Sequence, residues 1–467
     1  MVARFCRRFS LSFVPLLPLL LTFGAPRAFA GNDQARAITI DASENIYVTG
    51  SSEGAGTRRD FFTIKYDATG ALQWSARFDG AASNDDIPNA IKVDSFGNVY
   101  VTGSSFGFGT GLDYATLKYN SNGVLQWAAI FNGTGNREDI PYAIDVDSSG
   151  NVYVTGSSQS NNADRDFVTI KYDANGALLW TRTWIGYGGE DIARALKLDA
   201  SGNVYVAGSS TANSDGLDYI LIKYDANGTL QWWREYNGPA NGDDIPSALA
   251  IDSSGNVYLT GSSLGQTTGL DYATLKFAAN GNLKWIVRYD GPVHSGDQPT
   301  ALAVDSSGNV YVTGSSLGNG TGRDYATVKY AIKIATTGKK KKKKTTETVT
   351  QAWVARFDGP VSGDDAATAL VLDSAANVYV TGTSLGNNSS NDYATLKYSN
   401  AGLLQWATRF NGAANSADTA ADMAVHSMSH NVYVTGSSQG LGTGWDFATV
   451  KHDGNGNIIW VNRFDQP

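Results

Sequence analysis

The sequence predicts an all-β propeller of eight four-stranded antiparallel blades, and three observations carry that prediction. The tetrapeptide Tyr47-Val48-Thr49-Gly50 recurs with at most one change, starting again at Tyr100, Tyr153, Tyr205, Tyr258, Tyr311, Tyr379 and Tyr433. The intervals are 53, 53, 52, 53, 53, 68 and 54 residues, and removing a fifteen-residue insertion from the long one restores 53. Each copy holds four short runs rich in Val, Ile, Tyr, Thr and Phe, and none shows a helical period.

The second copy shows the elements in order. Ala90 to Val93 reads as strand one, Asn98 to Ser104 as strand two, Asp113 to Tyr119 as strand three and Val124 to Phe131 as strand four. Asp94-Ser95-Phe96-Gly97 joins the first pair and Asn120-Ser121-Asn122-Gly123 the second. Both are tight-turn chemistry, with Gly supplying a positive φ. Most strands are apolar on both faces, as a sheet between two other sheets requires. Seven blades with one repeat outside the ring is the alternative. The first copy begins at strand one and the last ends at strand four, so closure rests on packing and should be the weakest seam.

Residues 1–30 do not read as fold. Arg4, Arg7 and Arg8 precede an apolar run from Leu11 to Leu21, and Ala28-Phe29-Ala30 forms a small-x-small cleavage site. That is the layout of a secretory signal peptide, with a core too short to span a bilayer. The expected destination is outside the cell or the periplasm. The one cysteine, Cys6, leaves with the leader, so residues 31–467 must be held by a core rather than by disulfides. Cleavage also removes four arginines and takes the net charge from −8 to −12. So acidic a surface argues against nucleic acid as a partner. No later stretch is apolar for long enough to be a transmembrane segment. The expected state is a monomer. The insertion at 331–351 carries six consecutive lysines, Lys339 to Lys344, and reads as a hairpin with a solvated tip.

The repeat resembles the bacterial SBBP-type ("seven-bladed β-propeller") family through Gly150-Asn-Val-Tyr-Val-Thr-Gly-Ser-Ser158 and Asp113-Tyr-Ala-Thr-Leu-Lys-Tyr119. The resemblance covers nearly all of residues 31–467 and implies a propeller in an extracellular setting, without an assigned reaction. Eight copies here depart from the family's name. Trp74, Trp127, Trp180, Trp232, Trp285, Trp353, Trp406 and Trp460 close the copies. They are similar to the docking tryptophans of quinoprotein-like propellers, which implies an indole wedged between blades.

Hairpin turns 1–2 and 3–4 share one face, and the longer 2–3 and 4–1 connections share the other, where binding is expected. Asp33, Asp86, Asp139, Asp191, Asp244, Asp297, Asp365 and Asp418 stand four residues before the strand-one alanine position. They should ring the axial mouth, either as a cation or cationic-ligand site or as mortar accepting backbone N–H groups. No cofactor is expected, and calcium at this ring is the one metal these residues would suit. A second set, Asp60 to Asp446, opens the third strands, and lysines five residues later, Lys65 to Lys451, should rest against the docking tryptophans. His426, His430 and His452 fall in the last copy without a strong metal-ligand spacing. Trp445 and Phe106 lie in 2–3 loops, Trp445 as a candidate stacking residue for a ligand.

The sequence therefore predicts a non-catalytic binding or scaffolding module that contacts a protein, glycan or cell surface. The alternative is a propeller hydrolase or lyase using His294 beside Asp297, the one asymmetric acid–base couple on the long-loop face.

Overall fold

A computed structural model describes residues 31–54, 56–161, 164–211, 216–337 and 344–465. The expected leader and Lys339 to Lys343 lie outside them. Thirty-two strands form eight separate four-stranded antiparallel sheets, each ordered one-two-three-four, and no helix occurs among the described residues. Blade one is Gln34–Ile40, Ile46–Glu53, Arg59–Tyr66 and Leu72–Phe78; blade eight is Asp418–Val425, Val432–Gln439, Trp445–His452 and Ile458–Phe464. Each first strand touches the first strands of both neighbours, the last blade meeting the first, so the strand ones form the inner ring. All eight copies join it.

The core is divided among eight seams. One holds Tyr205 and Tyr219 of blade four against Leu249, Val257, Leu259, Leu275 and Phe277 of blade five. Val99, Tyr100 and Val101 in strand two are wholly buried, because alternate side chains face the two adjacent blades. No sheet could hide both apolar faces alone. The motif threonines pair across strands, as Thr49 does with Thr63 at 3.1 Å. The motif tyrosines anchor the 1–2 turns, Tyr100 donating its hydroxyl to Asp94, which also accepts from Asn98.

The motif glycine answers to a bulge. In every blade the first strand carries one extra residue beside this position, for example Asn89 between Pro88 and Ala90. A Cβ on Gly103 would sit 2.2 Å from the Ile87 carbonyl oxygen and 2.4 Å from the Pro88 Cα, so the bulge needs glycine opposite.

The tryptophans do wedge between blades. Trp74 packs against Gly123 of the next blade's 3–4 turn, and its indole N–H donates to the Ser121 carbonyl at 3.1 Å. Lys65 donates to the same carbonyl. The lysine ammonium lies over the strand-two Tyr47 ring at 5.2 Å, so tyrosine is the cation–π partner where tryptophan was expected. Cross-strand register explains this: Lys65 faces Tyr47 on one side and Trp74 on the other.

The closing seam is braced more heavily than the sequence suggests. Phe62 stacks on Phe464 at 4.9 Å, and the Asp33 N–H donates to the Trp445 carbonyl. His426 stands where the other seven blades carry the turn aspartate. Glu44 crosses from blade one to accept Asn431 and Tyr433 in its stead, with its other oxygen 3.0 Å from His426 Nδ1. Only the indole bond is missing here, since Trp460 Nε1 is buried without a partner.

In blade six, Arg323–Thr337 and Lys344–Phe357 extend the 3–4 hairpin well beyond its counterparts.

Candidate functional site: the axial mouth

The eight repeated aspartates sit between blades, each 0–1% exposed, rather than open to the mouth. Asp86 shows why. Its carboxylate accepts the N–H of Gly80 in the 4–1 connection and of Phe106 at the end of strand two, while its own N–H donates to the Arg59 carbonyl of blade one. Gly133 and Gly291 donate likewise to Asp139 and Asp297. Burial pushes Asp86, Asp139 and Asp297 above the usual carboxylate range.

Three of the eight join acidic triads: Asp60 with Asp79 and Asp86, Asp271 with Asp290 and Asp297, and Asp324 with Asp358 and Asp365. Each triad already holds a guanidinium. Arg77, Arg288 and Arg356 reach Asp60, Asp271 and Asp324 at 2.8, 2.8 and 2.7 Å. Arg409 and Arg463 clamp Asp392 and Asp446 in the same way, whereas blades two to four carry Ile130, Thr183 and Glu235 at that position.

His294 does not meet Asp297. Its Nδ1 lies on Asp290 Oδ2, four residues back, and its side chain is 68% exposed. The Asp290 carboxylate holds the imidazole above its ordinary value. Asn132 with Asn136 and Asn411 with Asn415 make the same contact in other blades, and His294 shares their left-handed backbone. The expected acid–base couple is thus a loop staple. The other three histidines separate as well: His426 lies on Glu44, His430 is 3.6 Å from Asp373, and His452 is buried against Trp406.

Eightfold repetition breaks on the inner wall. The bulge residues are Arg36, Asn89, Tyr142 and Arg194 in blades one to four, then Ser247, Thr300, Thr368 and Ala421 in blades five to eight. Nearer the short turns the wall reads Thr39, Lys92, Asp145 and Lys197, then Ala250, Ala303, Val371 and Ala424. One half of the bore is charged and bulky, the other small.

Lys92 lies 3.7 Å from Asp145, and Lys197 feels the charges of Lys92, Asp145 and Asp422. Asp422 belongs to the blade opposite Lys197, so these side chains converge across the axis. Repulsion from Lys92, then burial, lowers Lys197, while burial pushes Asp422 up to about 6. Two lysines and two aspartates thus balance in charge on this part of the wall. Among the described residues Arg36 and Arg194 make no ion pair, and the buried Nε–H of Arg194 donates to no acceptor.

On the long-loop face, Arg36 enters a pocket of about 410 Å³ with Gln34, Asn89, Thr419, Ser437 and Trp445. A groove of about 630 Å³ lies beside it over blades one to three, lined by Arg58, Ile87, Phe106, Leu112 and Arg137 among others. Of the residues picked out as binding candidates in the sequence, Trp445 alone lines the pocket. Arg36 and Arg194 were missed. Their signal was a large charged residue at a strand-one position that is otherwise small or neutral.

A ring of eight four-stranded antiparallel sheets around an asymmetric bore is a β-propeller with eight blades. The model of the SBBP beta-propeller repeat matches four segments of it, residues 73–107, 126–162, 231–266 and 288–320. Each match begins in the fourth strand of one blade and runs through the second strand of the next, across a seam. The chain is also similar to the regulatory protein FlaEY of Caulobacter vibrioides, 33% identical over 145 aligned positions, 26% of this chain. The match spans 15% of that relative's length. Among solved structures, dihydro-heme d1 dehydrogenase NirN superposes with a TM-score of 0.50 at 13% identity, covering 97% of this chain and 76% of that one. A polysaccharide lyase of family PL25, an ulvan lyase, gives 0.41 at 12% identity, covering 92% and 96%. Likeness at these identities shows the fold alone.

Proposed function

We propose that this chain is an exported, non-catalytic propeller that binds or scaffolds a protein, glycan or cell-surface partner through its long-loop face. One observation carries the reading: the only aromatic candidate picked from the loops, Trp445, lines a pocket at the mouth just where the wall departs from eightfold repetition. A residue set repeated in every blade serves the ring, whereas a set present once is free to serve a ligand. The layout of residues 1–30 is the ground for export, and the regulatory designation of the FlaEY relative accords with a non-catalytic role.

The test is immobilised chain exposed to the native secretome and to cell-wall material, with Trp445→Ala and Arg36→Ala in parallel. Capture lost in those variants and kept in Phe96→Ala, on the opposite face, is the expected result. Capture lost only with Phe96→Ala would overturn the assignment of the face.

A further inference from the structure

We propose that the axial pocket binds a carboxylated sugar, and that the groove beside it carries the next residues of an acidic polysaccharide. This rests on the binding-module reading and names its ligand class.

Arg36 is the starting point. Its guanidinium makes no hydrogen bond or ion pair among the described residues, and Arg59, whose charge it feels, is tied to Asp85. The second arginine of the wall, Arg194, has a buried Nε without a partner. An acidic protein thus keeps two uncompensated guanidiniums where its inner strands open. A planar carboxylate matches such a fork and would supply the missing charge.

The rest of the pocket suits a sugar better than a peptide or a bare anion. Trp445 offers an indole face, and its backbone is fixed by register with Gln439 and by the Asp33 N–H. Gln34, Thr419 and Ser437 provide both donors and acceptors, as hydroxyl groups require. Asn89 donates its amide N–H to the Pro141 carbonyl, which leaves its oxygen as an acceptor in the pocket lining. The volume lies within the usual range of small-molecule pockets.

In the groove Arg58 and Arg137 stand exposed and Phe106 gives a second aromatic surface, while its two acids, Asp85 and Glu138, are paired with Arg59 and Arg165. A polymer with a carboxylate on successive rings would meet Arg58 and Arg137 there. The overall negative charge excludes non-specific polyanion binding, whereas this local cluster admits a short acidic segment.

Calorimetry on the full chain with tri-galacturonic acid tests the site, with galacturonic acid, a neutral glucose trimer and tri-glutamate as comparison ligands. The acid trimer should bind more tightly than its monomer and lose affinity with added salt. Arg36→Ala should weaken it at least tenfold, and Trp445→Ala should weaken acid trimer and monomer alike. Unchanged melting of both variants would show that the ring is intact. Equal binding of the neutral trimer, or indifference to Arg36→Ala, would overturn the carboxylate assignment and leave a binding module standing. Tri-glutamate binding as tightly would overturn the sugar assignment. No binding of the acid trimer would overturn the inference, while the capture experiment would still decide the broader reading.

Discussion

Glu347 accepts the indole N–H of Trp285 at 2.9 Å, and the same oxygen takes the Lys276 ammonium at 2.7 Å. In five other seams a 3–4 turn carbonyl receives both groups, as Ala174 does from Trp127 and Lys118. In blade six the paired strands of the hairpin run on past the position where the other blades turn. A side chain from its returning arm fills the place, so the insertion is integrated into the seam rather than hung from it.

Glu347→Ala should therefore destabilise the ring although Glu347 lies in an insertion. Loss of an acceptor shared by a buried lysine and an indole should cost about 1–2 kcal/mol, below the upper range for charged hydrogen bonds because the site is partly exposed. Glu347→Gln keeps an acceptor for the indole and should cost less. Urea denaturation of the three proteins measures this. Equal stability of wild type and Glu347→Ala would show that the hairpin does not support the seam.

At the closing seam, Glu44→Gln should make stability less dependent on acid. Burial pushes the Glu44 carboxyl up, but hydrogen bonds from Tyr433, Asn431 and Ser429 and the charge of His426 outweigh it and bring it to about 2. A carboxylate lowered on folding contributes stability above its unfolded value of 4.5 and loses it as pH falls toward 2. The melting-temperature gap between wild type and Glu44→Gln should be widest at neutral pH and narrow through that window. A gap constant with pH would mean the carboxylate's charge is not what joins blade eight to blade one.

His452→Tyr restores the residue that most blades carry beside the docking tryptophan. Burial lowers the His452 imidazole to about 4 from an ordinary 6.5. The native state holds it neutral, so its contribution is full above 6.5 and is lost as pH falls toward 4. Tyrosine does not titrate there. The variant's advantage in melting temperature should grow as pH drops through the window; a pH-independent difference would place the effect in packing alone.

The architecture was legible because every copy states it again. The Tyr-Val-Thr-Gly pitch places all eight second strands, since burial between two sheets leaves little freedom at Tyr100 or Val101. The roles of single residues were less legible. Nothing within one repeat tells that Asp86 takes its N–H partners from the 4–1 connection and the end of strand two, or that Lys65 settles over Tyr47. The axial set was hardest to see. Arg36, Lys92 and Asp422 sit at positions that vary from copy to copy, so each looks like drift until the ring brings blades one, two and eight onto one axis.

The same comparison of copies exposes a gap in blade three. Asp166 opens its third strand as Asp60 does in blade one, but Thr183 stands where Arg77 holds Asp60 at 2.8 Å. Burial, then the charges of Asp191 and Asp164, pushes Asp166 up to about 6. A carboxyl raised on folding favours the native state only below its unfolded value of 3.8, and that benefit is gone once pH exceeds about 6. Thr183→Arg would set a guanidinium over Val168, its cross-strand partner, within reach of Asp166. It should stabilise the protein by roughly 1–2 kcal/mol at neutral pH, the range for a charged hydrogen bond less the entropy of ordering the side chain. The gain should shrink below about 6 and vanish below 3.8, where Asp166 is protonated in both states. Denaturation at pH 7 and pH 4 separates the outcomes: a gain equal at both would assign it to the arginine stem packing on Val168, and no gain at pH 7 would show that this clamp does not transfer between blades.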